Sequence, residues 1–248
     1  MNEAKSLSAT PWDFKARAFV SGMIYAVGFF VGINLQLNLF GDIHPTYVLL
    51  GERYGLVGIH VAAFLPVLFT LVALALRIWG TAYLSSGVVW NASVTSGGLL
   101  LSGPFRYVRN PLYLGNVFGA IGVGMIGPPL SMLIIVAGVV LFLLRLIRIE
   151  ERYLGVVYGQ AYRDYCRLVP RLLPRLRPAL VATDPRPAAW ADGFQGELFH
   201  LAIVIATLYN ALFTWPQPTW STWLVLLLAL VVQTVIRRLA ASKPAVAA

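Results

Sequence analysis

The chain has 248 residues, 58% of them apolar and only 12% charged, with a mean hydropathy of +0.75. A soluble domain carries roughly 25% charged residues, so the composition excludes an ordinary water-soluble fold and predicts an all-α, multi-pass membrane protein. The net charge of +9 does not argue for nucleic acid as a partner, because the basic residues flank apolar runs where anionic headgroups and topology account for them. A single cysteine, Cys166, excludes an intrachain disulfide and a cysteine-based metal centre, and no metal site is expected. Arginine outnumbers lysine heavily, which hints at a GC-rich prokaryote and so at an inner-membrane location.

Residues 1–17 are polar and basic, and the apolar run Ala18 to Phe40 that follows is longer than a signal-peptide core. It is long enough to cross a bilayer, which takes about 20 residues. Gly41 to Gly55 reads as a loop. Leu56 to Trp79 reads as a second span kinked at Pro66. His60 lies in its first turn as an interfacial or packed residue, with a functional role the minority alternative.

Residues 80–102 are Gly/Ser-rich and too polar to span, so they are expected in the interface or dipping partly into it, where irregular backbone must line a cavity or be buried in protein. Leu112 to Gly127 and Leu130 to Ile147 form a helical hairpin broken at Pro128-Pro129, with both arms short for the bilayer. Gly115, Gly119 and Gly122 fall on one face, which lets another helix approach closely; Gly115 could also serve a ligand.

From Arg145 to about Arg177 the chain is basic and amphipathic, as expected of a helix lying along the cytoplasmic membrane surface. Its stripe Tyr158, Tyr162, Tyr165 suits either interfacial anchoring or pocket lining. Pro170, Pro174 and Pro178 end the helix, and residues 178–196 read as a linker. Leu198 to Trp215 and Trp220 to Ile236 form a last hairpin with an aromatic belt at Trp215, Trp220 and Trp223, and His200 interfacial at its start.

About six spans with both termini cytoplasmic leave Arg53 as the exception to the positive-inside rule. The chain divides into residues 1–79, a tail and two spans; 80–178, a core of interfacial segment, short hairpin and amphipathic tail; and 179–248, a linker and a C-terminal hairpin.

The core is organised around Gly103-Pro-Phe-Arg-Tyr-Val-Arg-Asn-Pro-Leu-Tyr-Leu-Gly115. Asn110-Pro111 reads as a helix start, with Asn as N-cap and Pro at the first helical position. The free amides of such a helix face Arg106 and Arg109, forming an anion cradle. Glu150-Glu151 closes the hairpin. Adjacent helix positions diverge by about 100°, so one carboxylate could meet a cationic ligand while the other pairs with Arg148 or Arg145; ordinary salt bridging at the interface is the plainer account. Acids opposite a basic helix start suit a zwitterion.

This motif, followed by a hairpin, Arg148-Ile-Glu-Glu151, Tyr158-Gly-Gln-Ala-Tyr-Arg-Asp-Tyr-Cys-Arg-Leu-Val-Pro170 and Pro174, resembles the isoprenylcysteine carboxyl methyltransferase / phospholipid methyltransferase superfamily over about residues 76–176. The resemblance implies an integral membrane enzyme that uses S-adenosylmethionine and methylates a lipid or lipidated acceptor. It further implies that Asn110, Pro111, Leu112 and Tyr113 contact the cofactor, that Phe105, Leu99 and Leu100 line its adenosyl end, and that the Glu150-Glu151 pair helps bind it. Glu150 would face the amino or sulfonium end, and Arg148 would hold an acidic acceptor. Asn110 stands where the family usually has His, so a step needing a histidine base is not available at that position.

The nearest enzymatic rival is an NADPH-dependent membrane reductase of the sterol type, which typically carries an acid just after the motif's last glycine; Asn116 occupies that position here. A permeation protein or scaffold is the non-enzymatic alternative, against which stand the lack of the midplane charges typical of transport pathways and the gathering of polar residues at one cytoplasmic end. The acceptor's identity and the oligomeric state are not legible in the sequence.

Overall fold

In a computed structural model, residues 16–84, 101–179 and 187–213 are described, and all the regular structure among them is helical. The elements are α1 (Arg17–Phe40), α2 (Thr46–Gly51), a 3-10 turn (Glu52–Tyr54), α3 (Gly55–Ala62), α4 (Leu65–Leu84), a second 3-10 turn (Gly103–Arg106), α5 (Pro111–Gly124), α6 (Pro129–Leu168), α7 (Trp190–Gly196) and α8 (Leu198–Phe213). Three stretches are long and apolar enough to cross a membrane: Arg17–Phe40, Thr46–Leu84 and Pro129–Leu168. A fourth is added if α7 and α8, bent by 62° at Glu197, count as one broken span. The expected all-helical membrane fold is therefore present, with three or four candidate spans among the described residues where about six were expected. The second arm Trp220 to Ile236, the aromatic belt, and residues 85–100 with Leu99 and Leu100 lie outside the described residues.

Several expected boundaries are corrected. The Gly41–Gly55 stretch is mostly helical, and α2 and α3 pack on each other where Gly51 and Gly58 admit close backbone approach. The span expected over Leu56 to Trp79 breaks after Ala62 and restarts as α4, which runs on to Leu84. Pro66 thereby falls in a first helical turn, where its missing N–H costs nothing, and no kink is needed. The second hairpin arm does not stop at Ile147 but continues to Leu168, interrupted at Gly159, whose φ of 55° and ψ of −123° are accessible to glycine at little cost. The tail of the supposed linker, 190–196, is α7, packed on α4 with Gly193 over the Ile78 carbonyl.

Two seams hold the bundle. On one, α4 lies against α5; on the other, α1 lies against α6, and α5 also meets α6. The glycine face of α5 is the α4 seam. A Cβ at Gly122 would stand 2.8 Å from both the Pro66 carbonyl oxygen and Thr70 Cγ2, and one at Gly115 would stand 2.7 Å from Arg77 Cγ. Lipid offers no hydrophobic drive for helices to associate, so close packing of small residues has to supply it. Ala120, Ile135, Val139, Leu143 and Leu146 fill the α5–α6 side, whereas Phe19, Phe30 and Leu141 point outward as a lipid-facing surface does. Thr70 and Thr207 join α4 to α8 by a buried hydroxyl pair at 3.0 Å, and Thr46 N–H donates to the Gly127 carbonyl at 2.8 Å at the apolar end.

The α4–α5 contact separates two substitutions of one kind. Gly122→Ala should lower stability by about 1–3 kcal/mol through overpacking against backbone. Gly119→Ala, whose Cβ would meet Ala73 Cβ at an ordinary 3.7 Å, should be neutral or slightly stabilising; thermal unfolding in detergent reads both.

Candidate functional site

The polar end of the bundle is assembled from the start of α5, the far part of α6 and the chain that follows it. The prolines after α6 leave residues 170–179 unable to continue a helix, and this tail returns antiparallel along the motif. Arg109 N–H donates to the Pro170 carbonyl (2.9 Å), Arg175 N–H to Tyr107 (3.1 Å) and Ala179 N–H to Arg106 (2.9 Å). Beneath it, Tyr165 Oη donates to the Phe105 carbonyl at 2.8 Å. Tyr162 and Tyr165 are buried and pack with Val169, Leu101, Leu154 and Tyr158. The tyrosine stripe thus packs under the motif and is not the exposed anchoring surface that was one of its two expected roles.

Pro111 opens α5 at its first position, as expected. Asn110 does not cap it. Its side-chain amide donates instead to the Arg171 carbonyl at 3.0 Å, tying the helix start to the tail.

The two glutamates diverge as their helical spacing requires. Glu151 lies between two guanidiniums: Arg109 Nη1 at 2.8 Å, and Arg171 through Nε at 3.1 Å and Nη2 at 2.5 Å. These partners replace Arg148 and Arg145, which lie on Glu151's own helix, because the returning tail and the motif bring opposite charges closer. The hydrogen bond to Glu151 raises the Arg171 guanidinium above its ordinary range. Arg109 also contacts Cys166 Sγ, and its Nε is a buried donor with no hydrogen-bond partner among the described residues. Glu150, partly buried, lies beside Tyr113 of the motif and feels the charge of Arg17 at the start of α1. Arg148 is exposed. Phe105, Pro111 and Arg109 therefore gather with Asn110, Tyr113, Glu150 and Glu151 at one end, with Leu112 in the same turn.

A second polar network had no place in the sequence reading, which gave Arg77 and Glu197 no role. Arg77 of α4 donates from Nε to Glu197 Oε2 (2.6 Å), from Nη2 to Glu197 Oε1 (3.0 Å) and from Nη1 to Asn116 Oδ1 (2.7 Å), with the Leu112 carbonyl at 3.4 Å. Thr81 Oγ1 donates to Glu197 Oε1 at 2.7 Å, and His200 Nδ1 lies 2.8 Å from Oε2. His200 is therefore a member of this network and is not merely interfacial. The signal was a lone Arg late in one apolar run and a lone Glu opening another; ionisable residues in such runs usually seek each other.

A family model of phospholipid methyltransferases matches residues 56–161, the stretch that supplies α4, the motif, α5 and both glutamates. The resemblance drawn from the motif run and the glutamate pair is borne out. The chain is also 32% identical over 102 residues to the cobalt-zinc-cadmium resistance protein CzcN of Cupriavidus metallidurans, an overlap of 39% of this chain and 47% of that protein. The chain thus spans about half the length of this relative. No solved structure matches.

The two arginines on Glu151 are not equivalent. Glu151→Ala leaves the Arg109 guanidinium, 12% exposed, without its carboxylate, and should cost about 3 kcal/mol, as for breaking a buried pair. Arg171→Ala, at a side chain 43% exposed, should cost under about 1 kcal/mol. Thermal or denaturant unfolding in detergent checks the ratio.

Proposed function

We propose that the protein is an integral membrane methyltransferase that takes its methyl group from S-adenosylmethionine and acts on a lipid or lipidated acceptor at the cytoplasmic membrane face. The observation that carries this reading is the divergence of the glutamates within the methyltransferase family segment: Glu151 is consumed by Arg109 and Arg171, while Glu150 turns to Tyr113 of the motif. One carboxylate and one basic group are thereby presented at the same helix start.

The donor set fits a zwitterionic methyl donor. Arg109 Nε is a buried donor in need of an acceptor, and an unmet donor of this kind costs about 1–3 kcal/mol until one arrives. A ligand carboxylate supplies it. Glu150 offers the complementary charge for an ammonium or sulfonium, and Asn110, Pro111, Leu112 and Tyr113 form the wall between them, with Phe105 beside it. Leu99 and Leu100 remain the proposed adenosyl contacts. When bound, S-adenosylmethionine supplies a methyl group activated by a sulfonium. The chain's task is then to hold donor and acceptor in line, an effect that can supply roughly 7–11 kcal/mol.

Arg148, exposed on the same helix as Glu150, is the proposed clamp for an anionic acceptor. A carboxylate acceptor already carries its attacking electron pair, so no histidine is needed at position 110. An amine acceptor must first lose a proton, which water or a carboxylate can take. The 14 residues of α5 reach about 21 Å, short of a hydrocarbon core of about 30 Å. The motif at its start therefore lies at lipid-headgroup depth or deeper, where a tail-bearing acceptor can present its head without leaving the bilayer.

Calorimetric titration of the purified protein with S-adenosylmethionine and, separately, NADPH tests the reading. Binding of the former is expected; binding of NADPH alone would sink it in favour of the reductase reading. Glu150→Ala and Arg109→Ala should abolish S-adenosylmethionine binding. Arg148→Ala should leave it intact and raise the acceptor's KM.

A further inference from the structure

The Arg77 network is costly if its only purpose is stability. Each buried ion loses several kcal/mol of hydration, and well-packed apolar residues of similar volume often do as well or better. What an ion pair provides and an apolar pair does not is direction. Glu197 grips Arg77 through both carboxylate oxygens, a fork-to-fork geometry that fixes the guanidinium plane. The remaining nitrogen, Nη1, is thereby aimed at Asn116 Oδ1 and the Leu112 carbonyl. Leu112 and Asn116 are one turn apart on α5, immediately after Asn110-Pro111. Gly115, between them, lets the Arg77 stem lie flat on the helix. Glu197 is itself held by Thr81 and His200, and its side chain has no solvent exposure.

Glu197 sits at the bend between α7 and α8, outside the 56–161 family segment. We propose that this bend braces the site: Glu197, acting through Arg77, sets the position of the first turn of α5, and so of the motif and of Tyr113 within it. Arg77, Asn116 and Glu197 are positioning residues, and none is assigned contact with donor or acceptor. The ligand readout of this inference rests on the methyltransferase reading; the structural readout does not.

The test uses the full chain in detergent with three changes. Asn116→Leu cuts the brace at α5 and leaves the Arg77–Glu197 pair in place. Glu197→Gln weakens the fork with little change of shape. The double variant R77M/E197L replaces the ion pair by apolar side chains. Three quantities are read: the melting midpoint, hydrogen exchange of the amides in 111–117, and the Kd for S-adenosylmethionine.

The double variant should melt at or above the wild-type temperature yet exchange about tenfold faster in 111–117 and bind about tenfold more weakly, as expected for losing a charge-assisted hydrogen bond. Asn116→Leu and Glu197→Gln should move exchange and Kd the same way. Wild-type exchange in both of these single variants overturns the brace, and they decide the matter alone if the double variant does not fold. A double variant that folds with wild-type exchange and Kd overturns it too, since the network would then be merely stabilising. If the wild type binds no S-adenosylmethionine while the variants still lose protection, the brace stands and the methyltransferase reading falls.

Discussion

The start of α5 is where the chain meets its hardest constraint. A helix of 14 residues cannot bring both ends to the surfaces of a bilayer about 30 Å thick, and backbone or polar groups at that depth have no water to satisfy them. Polar atoms near Asn110 therefore rely on partners within the protein or on a bound ligand. The tail 170–179 is the principal answer, since it supplies the Pro170 and Arg171 carbonyls to Arg109 N–H and the Asn110 amide. The fork on Glu151 is a second answer, and the Arg77 contact with Leu112 and Asn116 a third.

The second and third of these use charge in pairs and not singly. An isolated ion in low dielectric is costly, whereas a bidentate arginine–carboxylate pair recovers much of its hydration loss through short, well-directed hydrogen bonds. The two pairs have different surroundings. Glu197 is fully enclosed, while Glu151 keeps 14% of its side-chain exposure and Arg171 keeps 43%. The enclosed pair suits a fixed brace between helices. The more open one suits a rim that a soluble ligand has to reach.

What could be read from the sequence follows from how local each signal is. Pro111 at a helix start, the glycine face at 115, 119 and 122, and the divergence of Glu150 from Glu151 depend only on helical geometry, and each is present. The motif run and the glutamates were legible through their resemblance to a family, because their order along the chain is itself the signal. The misreadings depend on distant partners. Asn110 gives up the cap that its local propensity favours because the Arg171 carbonyl, brought back by the proline-rich tail, takes its amide. Glu151 ignores Arg145 and Arg148 for the same reason. Arg77 and Glu197, 120 positions apart, could be matched only by asking what an ionisable residue in an apolar run must be paired with.

The brace also bears on why α7 and α8 bend where they do. Glu197 is the residue at the break between the two helices, and its backbone departs from helical geometry there. A straight helix through this point would carry its side chain along the helix axis spacing set for α4 packing, one residue among many on a long face. At a bend of 62° the carboxylate instead meets Arg77 and Thr81 on α4 and His200 from the first turn of α8. The irregular backbone is thus placed where partners from both sides can satisfy it, which is the condition for tolerating a helix break at membrane depth. At the other end of α7, Ala189 N–H pairs with the Ala82 carbonyl at 2.8 Å, so the start of α7 is also joined to α4. A segment beyond the family match is in this way tied to the helix whose opposite face carries the motif.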